Sequence, residues 1–134
     1  MILTRKGDYG LRAILHLAKQ QPGKVSSIKE IAQSMETPTV FLSKVMKQLV
    51  RQGLVLSKRG ISGGYMLAKP PSDITLRDIV ESLEGPIALN KCLKRKHPCA
   101  RRRDCDAAPV WEVIQRNFLG DLDHYTVRKI LDTR

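Results

Sequence analysis

Three cysteines, Cys92, Cys99 and Cys105, lie in the run KCLKRKHPCARRRDC with six and then five residues between them. From Lys91 to Cys105 seven Lys or Arg residues accompany a single Asp. Such a surround favours the thiolate over the thiol and stabilises an anionic thiolate-bound metal centre, so the segment reads as a thiolate site. Three chemistries fit it. An iron-sulfur cluster, 4Fe-4S or 2Fe-2S, would use all three thiolates and gain from the compensating charge. A zinc site would take His97 as a fourth ligand. A thiol switch would need only two close cysteines of low pKa. Full protein ligation of zinc or a cluster takes about four ligands. With only three cysteines, the fourth must come from another residue, solvent or a small molecule. His97 also has the simpler reading of a solvated loop histidine beside Pro98, and His16 and His124 read as surface residues.

The rest of the chain must position this loop. A length of 134 residues with 42% hydrophobic content suits one domain with a real core and an appended element. An odd number of cysteines behind an N-terminus without a signal-peptide core argues against a disulfide framework, and no apolar run is long enough to cross a bilayer. A cytoplasmic protein with reduced cysteines and no membrane association is expected. No nucleophile elbow, phosphate loop, HExxH motif or pair of catalytic carboxylates is present, so the reading is not an enzyme. A net charge of +11 points to a polyanionic partner. Residues 1–72 carry twelve Lys or Arg and three acidic residues, whereas residues 106–134 carry four and five. The front of the chain therefore meets the polyanion and the tail meets protein. At 4% aromatics the chain is poorly equipped to stack unpaired bases, which disfavours RNA.

Hydrophobic spacing predicts a first helix from Thr4 to Lys19. Ser27-x-x-Glu30 forms a capping box for a short second helix ending near Met35. Thr37 as N-cap with Pro38 at the first helical position opens a third helix that Gly53 ends. Two strand-like runs, Leu54–Ser57 and Tyr65–Ala68, flank the glycine-rich KRGISGG. This order is that of a winged helix. Thr75-x-x-Asp78 caps a fourth helix, and Asp106 or a neighbour caps a long one with Val110, Ile114, Phe118 and Leu122 on one stripe, followed by a short helix from Thr126. The fold class is mainly α with a small β-hairpin wing. A winged helix-turn-helix domain spans 1–85, a cysteine sensor loop 86–107, and a dimerisation helix with a C-terminal helix 108–134.

In a helix-turn-helix the second helix enters the major groove by its N-terminal residues. Thr39, Val40 and Ser43 are therefore assigned to base edges, and Lys44, Lys47 and Lys29 to phosphates. Lys58 and Arg59 sit on the wing, where a long planar cation suits a narrow minor groove. The apolar stripe of the long helix is expected to form a homodimer interface.

The runs LTRKGDYGLRAILHLA and FLSKVMKQLVRQGLVLSKRGISGGYMLAKPPSDITLRDIVESLEG, together with the three cysteines, resemble the bacterial winged-helix repressors that include IscR, NsrR and RirA. The resemblance covers nearly the whole chain. It implies a homodimer, paired through the long C-terminal helix, that binds palindromic operators in double-stranded DNA. It further implies that the loop cysteines of the iron-sulfur members hold the controlling cluster. The family's histidine ligand after the third cysteine falls on Ala108, which cannot ligate, whereas its acidic ligand in the first helix falls on Asp8, which can. Asp8 is also placed to complement the helix dipole and to pair with Arg12.

Overall fold

The computed structural model describes residues 3–134. Its elements are α1 (Arg5–Ala18), α2 (Ile28–Met35), α3 (Thr39–Arg51), β1 (Val55–Lys58), β2 (Gly64–Leu67), α4 (Leu76–Glu84), α5 (Ala108–His124) and α6 (Val127–Asp132), with short 3-10 turns at Pro71–Asp73, Lys91–Leu93 and Arg102–Asp104. Mostly helical with one antiparallel hairpin, it has the winged-helix order expected.

α1 starts where the Thr4 hydroxyl accepts the Gly7 N–H, and it buries Ala13, Ile14 and Leu17. Gly10 lets α1 approach α4, because a Cβ there would collide with the Leu83 side chain. Ile14, Ile31, Leu42, Met46, Leu49, Ile74 and Ile79 are wholly buried in the resulting core. Truncating one of these to alanine costs about 2–5 kcal/mol in lost transfer energy and cavity formation.

Two caps differ from expectation. Ser27 accepts the Glu30 N–H at 3.1 Å, but the reciprocal half of the box is replaced by a Glu30–Lys24 ion pair at 3.7 Å. Thr37 does not cap α3: its hydroxyl donates to the Met35 carbonyl at 3.1 Å, and Pro38 takes the N-cap position without a side-chain bond. Glu36, at φ 51°, closes α2 in the left-handed conformation and makes the tight turn between the two helices. Gly53, at φ 80°, follows α3 and leads directly into the wing.

Val55 pairs with Leu67, Leu56 with Met66, Ser57 with Tyr65 and Lys58 with Gly64 across the hairpin. A two-stranded ribbon is weak alone. Here Ser26 and Tyr65 exchange backbone hydrogen bonds of 2.9 and 2.8 Å, tying β2 to the segment that opens α2.

The Thr75–Asp78 capping box is complete, with bonds of 2.9 and 3.0 Å. α5 is capped by Ala107, the neighbour of Asp106, without a side-chain bond. α5 packs on α4 through an Arg77–Asp123 pair at 3.0 Å, and the Gln115 side chain accepts the Leu89 N–H at 2.9 Å. α6 then returns to the winged domain, where Val127 is wholly buried and its N–H donates to the Ile74 carbonyl at 2.8 Å.

Candidate functional site

α3 divides cleanly. Leu42, Val45, Met46 and Leu49 enter the core, while Thr39, Val40, Lys44 and Lys47 face solvent, Ser43 being half-buried. Val40 is 72% exposed, an apolar side chain left open near the N-terminal end of α3. Lys29 lies exposed in the first turn of α2, and Lys58 and Arg59 are exposed at the end of β1. None of Lys29, Lys44, Lys47, Lys58 and Arg59 joins the ion pairs found among the described residues. Their charge is therefore not internally compensated. Asp8, by contrast, pairs with Arg12 at 3.2 Å, as the i,i+4 spacing suggests, and both side chains remain solvated.

The cysteine loop holds its three thiols in unequal environments. Cys92, in the 3-10 turn Lys91–Leu93, is buried; Cys99 is half-buried; Cys105 is exposed. Cys99 and Cys105 line one open depression of about 510 Å³ with Arg102, Arg103, Pro109 and Glu112, and Cys92 does not reach it. The Cys99 carbonyl accepts the Arg102 N–H at 3.1 Å and the Cys105 carbonyl accepts the Ala108 N–H at 3.1 Å, so both backbones are fixed just before α5. Arg102 is held by Glu112 of α5 at 3.0 Å. The donor chemistry suits an iron-sulfur cluster: three soft thiolates in a cationic loop. The arrangement does not yet gather them, since no three His, Cys, Asp or Glu side chains converge as a metal site among the described residues. His97, at φ 53°, is exposed.

Past this loop the surface of α5 changes character. Val110, Trp111, Val113 and Ile114 are 58, 36, 48 and 43% exposed, and Phe118 and Leu122 continue the apolar surface half-buried. Val113 widens the stripe beyond the four residues its spacing identifies and Trp111, which the sequence already sets beside them.

Two positions are more engaged than sequence reasoning finds them. His16 is not a plain surface residue: its Nδ1 lies 2.9 Å from the Ser34 hydroxyl of α2, and its Nε2 is buried without a partner. Burial, and then Lys24, lower its pKa from the ordinary 6.5. Glu84, at the end of α4, accepts the Thr4 N–H at 2.8 Å and also the Thr4 hydroxyl, stapling α4 to the start of α1. Neither pairing has a local signal, because the partners are 18 and 80 residues apart.

The model of the Rrf2 family, described as iron-dependent transcriptional regulators, matches residues 3–133. The chain is 39% identical over 129 residues to the HTH-type transcriptional regulator CymR of Bacillus subtilis, spanning 94% of this chain and 92% of that one. The solved structure of CymR, described as the global cysteine regulator of B. subtilis, superposes with a TM-score of 0.76 at 30% identity over 100% of this chain and 98% of CymR. T. potens IscR gives a TM-score of 0.75 at 29% identity, covering 99% of this chain and 88% of IscR. The oxidised form of Staphylococcus aureus CymR gives 0.72 at 28%, covering 97% of this chain and 95% of that one.

Proposed function

Because this chain belongs to the Rrf2 family of transcriptional regulators, we propose that it is a dimeric repressor whose affinity for a palindromic DNA operator is set by Cys92, Cys99 and Cys105. The observation that carries the reading is an uncompensated cationic surface on α2, α3 and the wing, joined through the cysteine loop to an α5 whose apolar face is open. Thr39, Val40 and Ser43 read base edges, while Lys29, Lys44 and Lys47 hold phosphates and fix register. Val110, Ile114, Phe118 and Leu122 pair two copies, so that two α3 helices meet half-sites about one helical turn apart.

The three thiolates would hold an iron-sulfur cluster, with the Asp8 carboxylate of the second protomer as fourth donor. A bound cluster supplies lability toward oxidants, nitric oxide or iron loss. What this chain's own residues do is mechanical. The Cys105 carbonyl is hydrogen-bonded to the first residue of α5, the Cys99 carbonyl accepts from Arg102, and Arg102 in turn grips Glu112 of α5, so rearrangement of the loop displaces the dimer helix. Any difference in DNA affinity must come from unequal stability of the two dimer arrangements. A coupling of 1–3 kcal/mol corresponds to roughly 5- to 150-fold.

A second reading is favoured by the depression that Cys99 and Cys105 share without Cys92. There a peroxide-class oxidant would accept two electrons, the two thiols would lose two protons, and one Sγ–Sγ bond would form. The likeness to a regulator solved in an oxidised form supports it.

Duplex selection from a randomised pool tests the DNA reading. Thr39→Ala and Val40→Ala are expected to relax base preference at particular positions. Lys47→Ala should weaken every duplex alike and reduce the salt slope by about 0.9 for each phosphate left without its lysine. Recovery of no consensus would overturn the proposal.

A further inference from the structure

The wing tip carries an isoleucine that phosphate recognition does not require. Ile61 is 108% exposed, the most exposed of the large apolar side chains among the described residues. Its backbone is braced on both sides. Gly60 takes φ 109°, the Gly63 N–H donates to the Gly60 carbonyl at 3.0 Å, and a Cβ at Gly63 would collide with the Lys58 carbonyl, so the turn is tight and specific. Beneath it Lys58 registers with Gly64, and Tyr65 is tied to Ser26. An apolar side chain is thus held at the end of a short anchored ribbon, two residues beyond Arg59.

We propose that Ile61 is a groove-contacting residue that enters the minor groove beside Arg59, packs on the deoxyribose walls, and selects A/T-rich flanks. The proposal rests on the DNA-binding reading of the wing. The two side chains divide the recognition. Arg59 responds to the potential of a narrow groove, and Ile61 responds to its width and to the absence of a donor. A G·C pair projects the guanine N2 amino group into the minor groove, whereas A·T and T·A present only acceptors at the floor. An aliphatic side chain would bury that amino group without a partner and would no longer touch the walls of a wider groove.

The experiment uses the full chain and duplexes bearing the selected half-sites with either A/T or G/C flanks. Ile61→Ala is expected to lower affinity about fivefold to tenfold on A/T flanks. It should change little on G/C flanks and leave the salt slope unaltered, since no phosphate charge is lost. Arg59→Ala should weaken binding and flatten the slope. Thermal melting controls for folding, which this solvated position does not support. Unchanged affinity of Ile61→Ala on both flanks, alongside a weakened Arg59→Ala, overturns the proposal while leaving the wing in the groove. Equal loss on both flanks overturns the selectivity. If neither variant matters but Lys47→Ala does, the wing reading itself fails.

Discussion

Replacing Gly64 by alanine should cut the wing loose from the domain. A Cβ there would lie against the Ser26 carbonyl oxygen, 2.6 Å from the Ser26 carbonyl carbon and 2.9 Å from the Ser27 Cα, at a φ of 154°. These are backbone atoms and cannot swing aside, so either the hairpin or the opening of α2 must move. The two Ser26–Tyr65 hydrogen bonds then break, at about 0.5–1.5 kcal/mol each, and residual backbone strain adds about 1 kcal/mol. The expected loss is about 2–4 kcal/mol. With an unfolding entropy of about 2.1 cal/mol/K per residue, 134 residues give about 0.28 kcal/mol/K, so a loss of about 3 kcal/mol lowers the melting temperature by about 10 °C. Calorimetry of wild type and variant reads this directly. Gly120→Ala is the control: it sits in α5 with nothing within 4 Å of the added Cβ, and it should gain about 0.5–1 kcal/mol. An unchanged midpoint for Gly64→Ala would refute the idea that the bridge fixes the wing.

Two other expectations concern parts of the molecule away from the wing. Ile114→Glu with Phe118→Glu should give monomers in sedimentation velocity and weaken operator binding about 100-fold through loss of the linked half-site, whereas a persistent dimer would place the interface elsewhere. His16 has its pKa lowered by burial, so the unfolded chain binds the proton more readily. Stability is therefore complete above pH 6.5 and declines as pH falls through 6.5 toward the lower folded-state value. Melting temperatures between about pH 7.5 and 5.5 should show this decline, and His16→Gln should remove it.

The order of elements was legible because each is written locally. Helical spacing in α1 and α3, the Thr75–Asp78 box, and the glycines around the wing are all contained within a few residues. Caps were less legible. Thr37 is a good N-cap residue by type, yet Pro38 takes that position, because Thr37 finds the Met35 carbonyl first; α5 opens at Ala107, beside Asp106, where the turn is set by Cys105 and Ala108. Long-range pairings left no trace in the pattern: Glu84 with Thr4, Ser34 with His16, and Ser26 with Tyr65. On the outer face of α3, residue type and helix face sufficed to name Thr39, Val40, Lys44 and Lys47, all of which face solvent. The cysteine loop was legible as chemistry and not as geometry. Spacing identified three thiols in a cationic run, whereas the different burial of Cys92 and Cys105 depends on how the loop lies against the helices.

Control of DNA affinity by the cysteines is tested most directly by titrating a selected operator with protein purified without oxygen, after iron and sulfide analysis, and repeating the titration after oxidation and with the Cys92→Ala, Cys99→Ala and Cys105→Ala variants. Cluster control predicts a visible iron-sulfur chromophore that each single variant abolishes, an Asp8→Ala protein that loses it faster, and an affinity differing about tenfold or more between loaded and stripped protein. A colourless preparation whose affinity changes only on oxidation and only with Cys99 and Cys105 intact would replace the cluster by the thiol pair. Identical affinity in every state and every variant would contradict control by the cysteines altogether.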